Sequence, residues 1–171
     1  MKKILNILWS ITLIGTSTTS LIACNTQQYS EDELAKLKEE NKIDTKDENI
    51  KNNLEWIAPQ EKPFEEVNNK YFYIVGRNSL NNVWKVFKLK NDGEKGSGLK
   101  TDWGERPVGF IFTINNDILL ATGNLLDSST EYIWGKGKHY EDYIKSVYRW
   151  NGEEQKLPNL IADENGNVKV N

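Results

Sequence analysis

The fold is decided by the stretch 107-PVGFIFTINNDILLAT-122. Two runs of β-branched and aromatic residues, 107–114 and 118–122, flank the turn formers Asn115-Asn116-Asp117. A run, a turn and a second run of this kind predict an antiparallel hairpin. Burying one large apolar side chain contributes about 1.5–3 kcal/mol to the free energy of folding. Because these two strands carry several such side chains, they are expected to form the centre of the core. The side chains expected there are Phe110, Phe112, Ile118 and Leu120.

Further short strands are predicted on both sides of this hairpin, separated by clusters of Asn, Asp and Gly. The runs lie at 71–75, 83–89, 131–134, 146–150, 160–162 and 168–170. Residues 70–171 are therefore expected to form a mainly β domain, a small antiparallel meander. Aromatic strands that end in Gly turns resemble propeller blades, but a closed propeller needs about four or more four-stranded blades. The meander is expected to be sandwich-like or propeller-blade-like.

Residues 24–69 are rich in Glu, Lys, Asp and Asn, a composition typical of a solvated spacer. Ser30 with Glu33, and Thr45 with Glu48, have the spacing of a capping box, which predicts two helix starts. The segment is therefore interpreted as a polar, partly helical stalk.

The second of these helices has an apolar face. Ile50, Leu54 and Ile57 recur at helical spacing, and the helix is expected to end before Pro59. Its apolar face is suited to docking on the β domain. The segment 58–63, with a proline at each end of 59–63, is predicted to be a linker.

Residues 1–23 have the organisation of an export signal. Lys2 and Lys3 precede an apolar run that is much shorter than the ~20 residues needed to span a bilayer. The run ends in Leu21-Ile22-Ala23-Cys24, which matches a lipobox: a small residue, Ala23, stands before the only cysteine. We expect cleavage between Ala23 and Cys24 and a diacylglyceryl group on the Cys24 sulfur, because two acyl chains anchor a protein stably.

The leader MKKILNILWSITLIGTSTTSLIACN resembles those of surface lipoproteins from the wall-less bacteria, the spiroplasmas and mycoplasmas. The stretches YFYIVGRNSLNNVWKVFKLKNDG and YRWNGEEQKLPNLIADENGNVKV resemble repeats in spiroplasma lipoproteins of unassigned function. The resemblance implies a lipid anchor in the cell membrane, with the protein on the extracellular face. It supplies no catalytic residues.

The composition argues against several functions. The formal charge is −3, and removal of the leader, which holds two lysines and no acidic residue, leaves about −5. A nucleic-acid partner is not expected, because it would require a concentrated basic surface. A single cysteine offers no disulfide. With one histidine, no metal site and no cofactor are expected, and Asn165-Gly166 is interpreted as a hairpin turn rather than part of a calcium loop.

Four residues are candidates for ligand contact: Trp103, Trp134, His139 and Trp150. Tryptophans exposed in one groove would stack on sugars or pack on a partner. The alternative is that they belong to the core.

The leading functional hypothesis is a non-enzymatic, lipid-anchored binding module. Its partners would be the membrane, through Cys24, and a host surface component, a glycan or a sibling lipoprotein. The alternative is a structural or antigenic coat protein, or a degenerate repeat fragment, without a specific ligand. A hydrolase is the third candidate, in which His139 would use a neighbouring acid such as Glu141 or Asp142.

Overall fold

The computed structural model describes residues 27–77, 79–92, 108–114, 117–122, 132–136 and 139–171. These residues form nine strands in antiparallel sheets and two α-helices, which confirms the mainly β prediction. The helices are α1 (Glu31–Glu40) and α2 (Glu48–Asn53). The strands are β1 (Leu54–Trp56), β2 (Tyr71–Gly76), β3 (Lys85–Lys90), β4 (Val108–Ile114), β5 (Asp117–Thr122), β6 (Tyr132–Ile133), β7 (Ile144–Trp150), β8 (Leu160–Ala162) and β9 (Val168–Val170). Among the described residues, no helix has the length and hydrophobicity to cross a membrane.

The main sheet has the strand order β1-β7-β2-β3, and β2 lies at its centre. Strand alternation divides the side chains of β2 between two buried faces. Phe72 and Ile74 point to one side, here called the Phe72 face, and Tyr73 and Val75 to the other, here called the Tyr73 face. Because both faces are covered, β2 is buried from Phe72 to Gly76 and reads as a continuous apolar run.

The two faces are covered by different parts of the chain. On the Phe72 face lie Leu120 of β5, Trp134 and Phe64, and the ring centroids of Phe64 and Phe72 are 4.7 Å apart. On the Tyr73 face lie Ile50 of α2 and the β8–β9 hairpin. The described chain is thus layered, with the main sheet in the middle.

The predicted 107–122 hairpin is confirmed. Strands β4 and β5 pair from Val108 with Thr122 to Ile114 with Asp117. Leu120 is buried as expected, whereas the side chains of Phe110, Phe112 and Ile118 lie outside the described residues. The described core, however, is centred on β2 and β7, because these strands have apolar cover on both sides.

The capping box at the start of α1 is confirmed. The Glu33 backbone N–H donates to Ser30 Oγ at 3.4 Å, and the Ser30 backbone N–H donates to Glu33 Oε2 at 2.9 Å. The second box is wrong. The N-cap of α2 is Asp47, whose carboxylate accepts from two backbone N–H groups, so Thr45 is not the cap.

The second helix is also shorter than predicted. It ends at Asn53, and Leu54–Trp56 form β1, which pairs with β7. Ile57 then points to the Phe72 face while Leu54 points to the Tyr73 face, so the three apolar residues do not share a helix face. The backbone hydrogen bonds offered by β7 outweigh the local helical pattern, as tertiary context commonly does.

The predicted linker 58–63 is a structured part of the domain. It contains a 3₁₀ turn, Pro59–Glu61, and Ala58 and Pro63 are buried. Phe64, next to it, is also buried. Much of the segment assigned to a stalk therefore contributes to the core of the β domain.

Candidate functional site

The tryptophans predicted to contact a ligand lie in the core wherever the structure describes them. Trp150 is 1 % exposed on the Tyr73 face, and its Nε1 donates to the Glu153 carbonyl at 2.9 Å. Trp134 is 8 % exposed and lies edge-on to Phe64, at 6.3 Å between ring centroids. Neither ring offers a face to a ligand, so the ligand-contact prediction is wrong for both. Trp103 lies outside the described residues.

His139 is at the surface, as expected of a loop residue. It has a positive φ of 74° and caps the 3₁₀ turn Tyr140–Asp142. Its Nδ1 lies 3.2 Å from Asp142 Oδ2, and its side chain is 71 % exposed. Such an exposed pair contributes little to stability. Burial raises the pKa of Tyr140 to about 12, and the nearby charge of Glu141 and its hydrogen bond to Tyr140 act in the same direction.

A groove of about 540 Å³ lies on the Tyr73 side of the sheet. Residues 40–44, which connect α1 to α2, form one wall, and residues 166–170 form the other. Lys145, Ser146 and Tyr148 of β7 form the floor. We call it the terminal groove. Tyr148 fixes its geometry, because its hydroxyl donates to the Asn41 carbonyl at 3.2 Å and so ties the first wall to the sheet.

The charges around the terminal groove are balanced. Lysines and carboxylates alternate on its lining: Lys42, Lys145, Lys169, Glu40, Asp44 and Asp163. Several are held by local partners. Lys42 lies 2.6 Å from Glu39, and Lys169 lies 3.3 Å from Asp163. The groove therefore has no strong preference for a ligand of one charge.

Asp163 organises the loop between β8 and β9. Its carboxylate accepts from the backbone N–H groups of Asn165 and Asn167, both at 2.9 Å. The hydrogen bond from the Asn167 backbone N–H lowers the pKa of Asp163 by more than partial burial raises it. Together with hydrogen bonds from the Asn167 side-chain amide and Lys169, it brings this pKa to about 2. Gly166 completes the turn with a φ of 76°, which confirms a hairpin turn at this position. Where the chain is described, no three metal-ligating side chains converge.

Strand β9 presents main-chain groups to the groove. The Asn171 N–H donates to the Asn159 carbonyl and the Asp163 N–H to the Asn167 carbonyl, so these pairs are the hydrogen-bonded ones. In an antiparallel pair of strands, hydrogen-bonded and non-hydrogen-bonded residue pairs alternate. Val168 and Val170 therefore belong to non-hydrogen-bonded pairs, and their N–H and C=O groups point away from β8. Among the described strands, β9 pairs only with β8, so these groups form an open edge along the groove.

A second, more apolar groove of about 400 Å³ lies between residues 83–86 and β8. Val83 and Ile161 are exposed there, at 63 % and 43 %. Trp84 is not a free platform, because the Arg77 guanidinium lies 4.4 Å from its ring centroid. On Gly166, an added Cβ would lie 3.0 Å from the Trp84 ring, so the backbone of the hairpin turn packs against it.

Sequence reasoning missed both grooves. Each is formed by segments that are distant in the chain, such as 40–44 and 166–170, so no local pattern could reveal it. The one available signal was the 160–170 hairpin itself, whose short strands necessarily present edges.

No family model, curated protein or solved structure matches this chain.

Proposed function

We propose that the protein is a lipid-anchored membrane lipoprotein, facing outward, whose domain is a non-enzymatic module that binds an extended segment of a partner protein. The observation that supports binding most directly is the open edge of β9 along the terminal groove. The lipobox Leu21-Ile22-Ala23-Cys24 supports the anchor.

The edge suits a polypeptide better than a sugar. A glycan site would need an exposed aromatic face, and Trp134 and Trp150 are buried. An added strand would lie about 4.8 Å from β9 and pair with the main-chain groups of Val168 and Val170. Its alternate side chains would meet Ile43 on the opposite wall. Because the charges of the groove are balanced, this binding should depend little on salt.

The anchor is tested by substituting Cys24. In cells given labelled palmitate, the Cys24→Ser protein should carry no label and should no longer enter the detergent phase when a cell extract is partitioned between detergent and water. A Ser17→Ala control in the same leader should still be labelled and should still enter the detergent phase. A Cys24→Ser protein that remains acylated and membrane-bound would disprove the anchor.

Binding is tested by panning a displayed library of unstructured peptides against the mature protein. Val170→Pro removes an N–H that points into the groove and spares the bonds to β8, so it should abolish enrichment. Val170→Thr keeps the shape and the N–H and is the matched control. The proposal fails if no peptide is enriched, or if enriched peptides bind the proline variant equally well.

A further inference from the structure

The chain becomes part of the folded domain very soon after Cys24. The Tyr29 N–H donates to Gln60 Oε1 at 2.5 Å, and Gln60 Nε2 donates to the Tyr29 carbonyl at 3.0 Å. One side-chain amide thus holds both main-chain groups of Tyr29. Gln60 belongs to the 3₁₀ turn that follows Ile57 and Ala58, both fully buried, so Tyr29 is tied to the core.

Helix α1 is also held against the domain, in its case by ion pairs of Lys38. Lys38 Nζ lies 2.6 Å from both Glu55 of β1 and Glu61 of the 3₁₀ turn. After α1, Ile43 packs on the Tyr73 face. Residues 29–43 therefore pass from the Tyr29–Gln60 contact, along the β1 edge of the sheet, to the terminal groove, and they do not act as a spacer.

The length of chain left for a tether is short. Tyr29 follows Cys24 by five residues. Even fully extended, five residues reach about 18 Å. A flexible spacer of the full length 24–69 would instead separate its ends by about 35–40 Å on average. A lipid on Cys24 must therefore hold Tyr29 within about 18 Å of the membrane surface.

The surface beside Tyr29 lies on the opposite side of the sheet from the terminal groove. Tyr29 is bound to Gln60, in the turn that directly follows Ile57. Ile57 lies in the core of the Phe72 face, and Tyr140 packs against the same core. The β8–β9 hairpin lies on the Tyr73 face. Layers of packed strands are about 10 Å apart, so the sheet separates these two surfaces.

We infer that the surface around Tyr29 and Tyr140 faces the lipid headgroups and that the terminal groove points away from the membrane. This inference rests on the proposed lipid anchor. Tyrosine suits the interface, since one part of its side chain is apolar and the other polar. Acidic residues follow both tyrosines closely in the chain: Glu31 and Asp32 after Tyr29, and Glu141 and Asp142 after Tyr140. Anionic headgroups would be repelled, so the surface fits zwitterionic lipid and stays close only because the tether is short.

The orientation is tested on the mature lipidated protein in phosphatidylcholine vesicles. Glu141→Cys and Glu164→Cys form a matched pair of exposed glutamates, one on each side of the sheet. Lipid blocks the Cys24 thiol, so a fluorescent label reacts only at the new cysteine. With a quencher on the lipid headgroups, the label at 141 should lose most of its emission and the label at 164 should keep it. Equal or reversed quenching overturns the inference.

A second variant separates this inference from the anchor. Insertion of about 20 Gly and Ser residues between Thr26 and Gln27 should leave palmitate labelling and vesicle flotation intact but remove the quenching at 141. If flotation and acylation are absent from the start, the anchor itself fails. If both are present and the insertion changes nothing, the short-tether inference fails alone.

Discussion

Glu55 joins three segments of the chain through one carboxylate. It accepts from Lys38 Nζ and Arg149 Nη2, both at 2.6 Å, and from Asn151 Nδ2 at 3.0 Å. Burial alone would raise its pKa, but the hydrogen bonds from Lys38, Arg149 and Asn151 lower it to about 2. Folding therefore favours the ionised form of Glu55, so the contacts that this carboxylate makes between α1, β1 and β7 depend on pH.

Glu55→Gln should destabilise the protein in a pH-dependent way. The folded pKa lies below the unfolded value, so the contribution of Glu55 is present near pH 7 and is lost as the pH falls from about 5 to about 2. Partial exposure and screening reduce the expected cost at pH 7 to about 1–2 kcal/mol. Thermal unfolding of both proteins across this pH range would measure it.

The matched control is Glu48→Gln, because Glu48 is 73 % exposed and is paired with Lys51 on the same helix. Its effect should be within about 0.5 kcal/mol at all pH values. A Glu55→Gln deficit that is the same at pH 7 and pH 3 would show that the ionised carboxylate is not the cause.

The prediction that Trp134 and Trp150 contact a ligand was wrong because the sequence does not show what covers each side chain. A sequence shows that Trp150 is large and aromatic, but not that the Tyr73 face of its strand is covered by α2 and the β8–β9 hairpin. Burial of such a residue depends on segments that are distant in the chain. His139 was easier to interpret, since a glycine-rich surrounding predicts an exposed loop.

At the scale of elements, the strands with alternating or aromatic runs were predictable and the connection before them was not. The hairpins β4–β5 and β8–β9 follow from local turn residues, which act without help from the rest of the chain. Strand β1 has only three residues and follows a helical pattern. Its identity is set by pairing with β7, which no local pattern shows.

Helix α1 was predicted correctly as a helix and wrongly as a stalk, and Lys38 accounts for the difference. Lys38→Ala should leave the carboxylates of Glu55 and Glu61 without the cation they share, and α1 should detach from the domain. The expected cost is about 1–2 kcal/mol, less than for a fully buried pair because these side chains are partly exposed. Hydrogen exchange should show lost protection at 31–43 with the main sheet unchanged.

Lys36→Ala is the control for this variant. Lys36 is 75 % exposed and contacts only Glu40 across one helical turn among the ion pairs of the described chain. It should change neither the stability nor the exchange of α1 beyond about 0.5 kcal/mol. Identical exchange in the Lys38→Ala and native proteins would show that Lys38 does not dock the helix.

At the scale of the whole molecule, the core extends across the boundary that the sequence suggests near residue 69. Buried apolar residues before it include Ile50, Leu54, Ile57, Ala58 and Phe64. Composition placed the boundary there because polar residues outnumber apolar ones before 70. The few apolar residues in that segment nevertheless cover both faces of the main sheet.

A fragment of residues 70–171 should therefore not fold. Its large missing core residues contribute about 1.5–3 kcal/mol each, and their sum is comparable to the whole stability of a domain, about 5–15 kcal/mol. It would also lack β1, leaving β7 as an unpaired edge. Calorimetry should show no cooperative transition, and the fragment should bind hydrophobic dye.

A fragment of residues 43–171 loses α1 but keeps these core residues, so it should unfold cooperatively at a lower temperature than the native protein. Cooperative unfolding of 70–171 at the native midpoint would instead make the first 69 residues dispensable and restore the independent stalk.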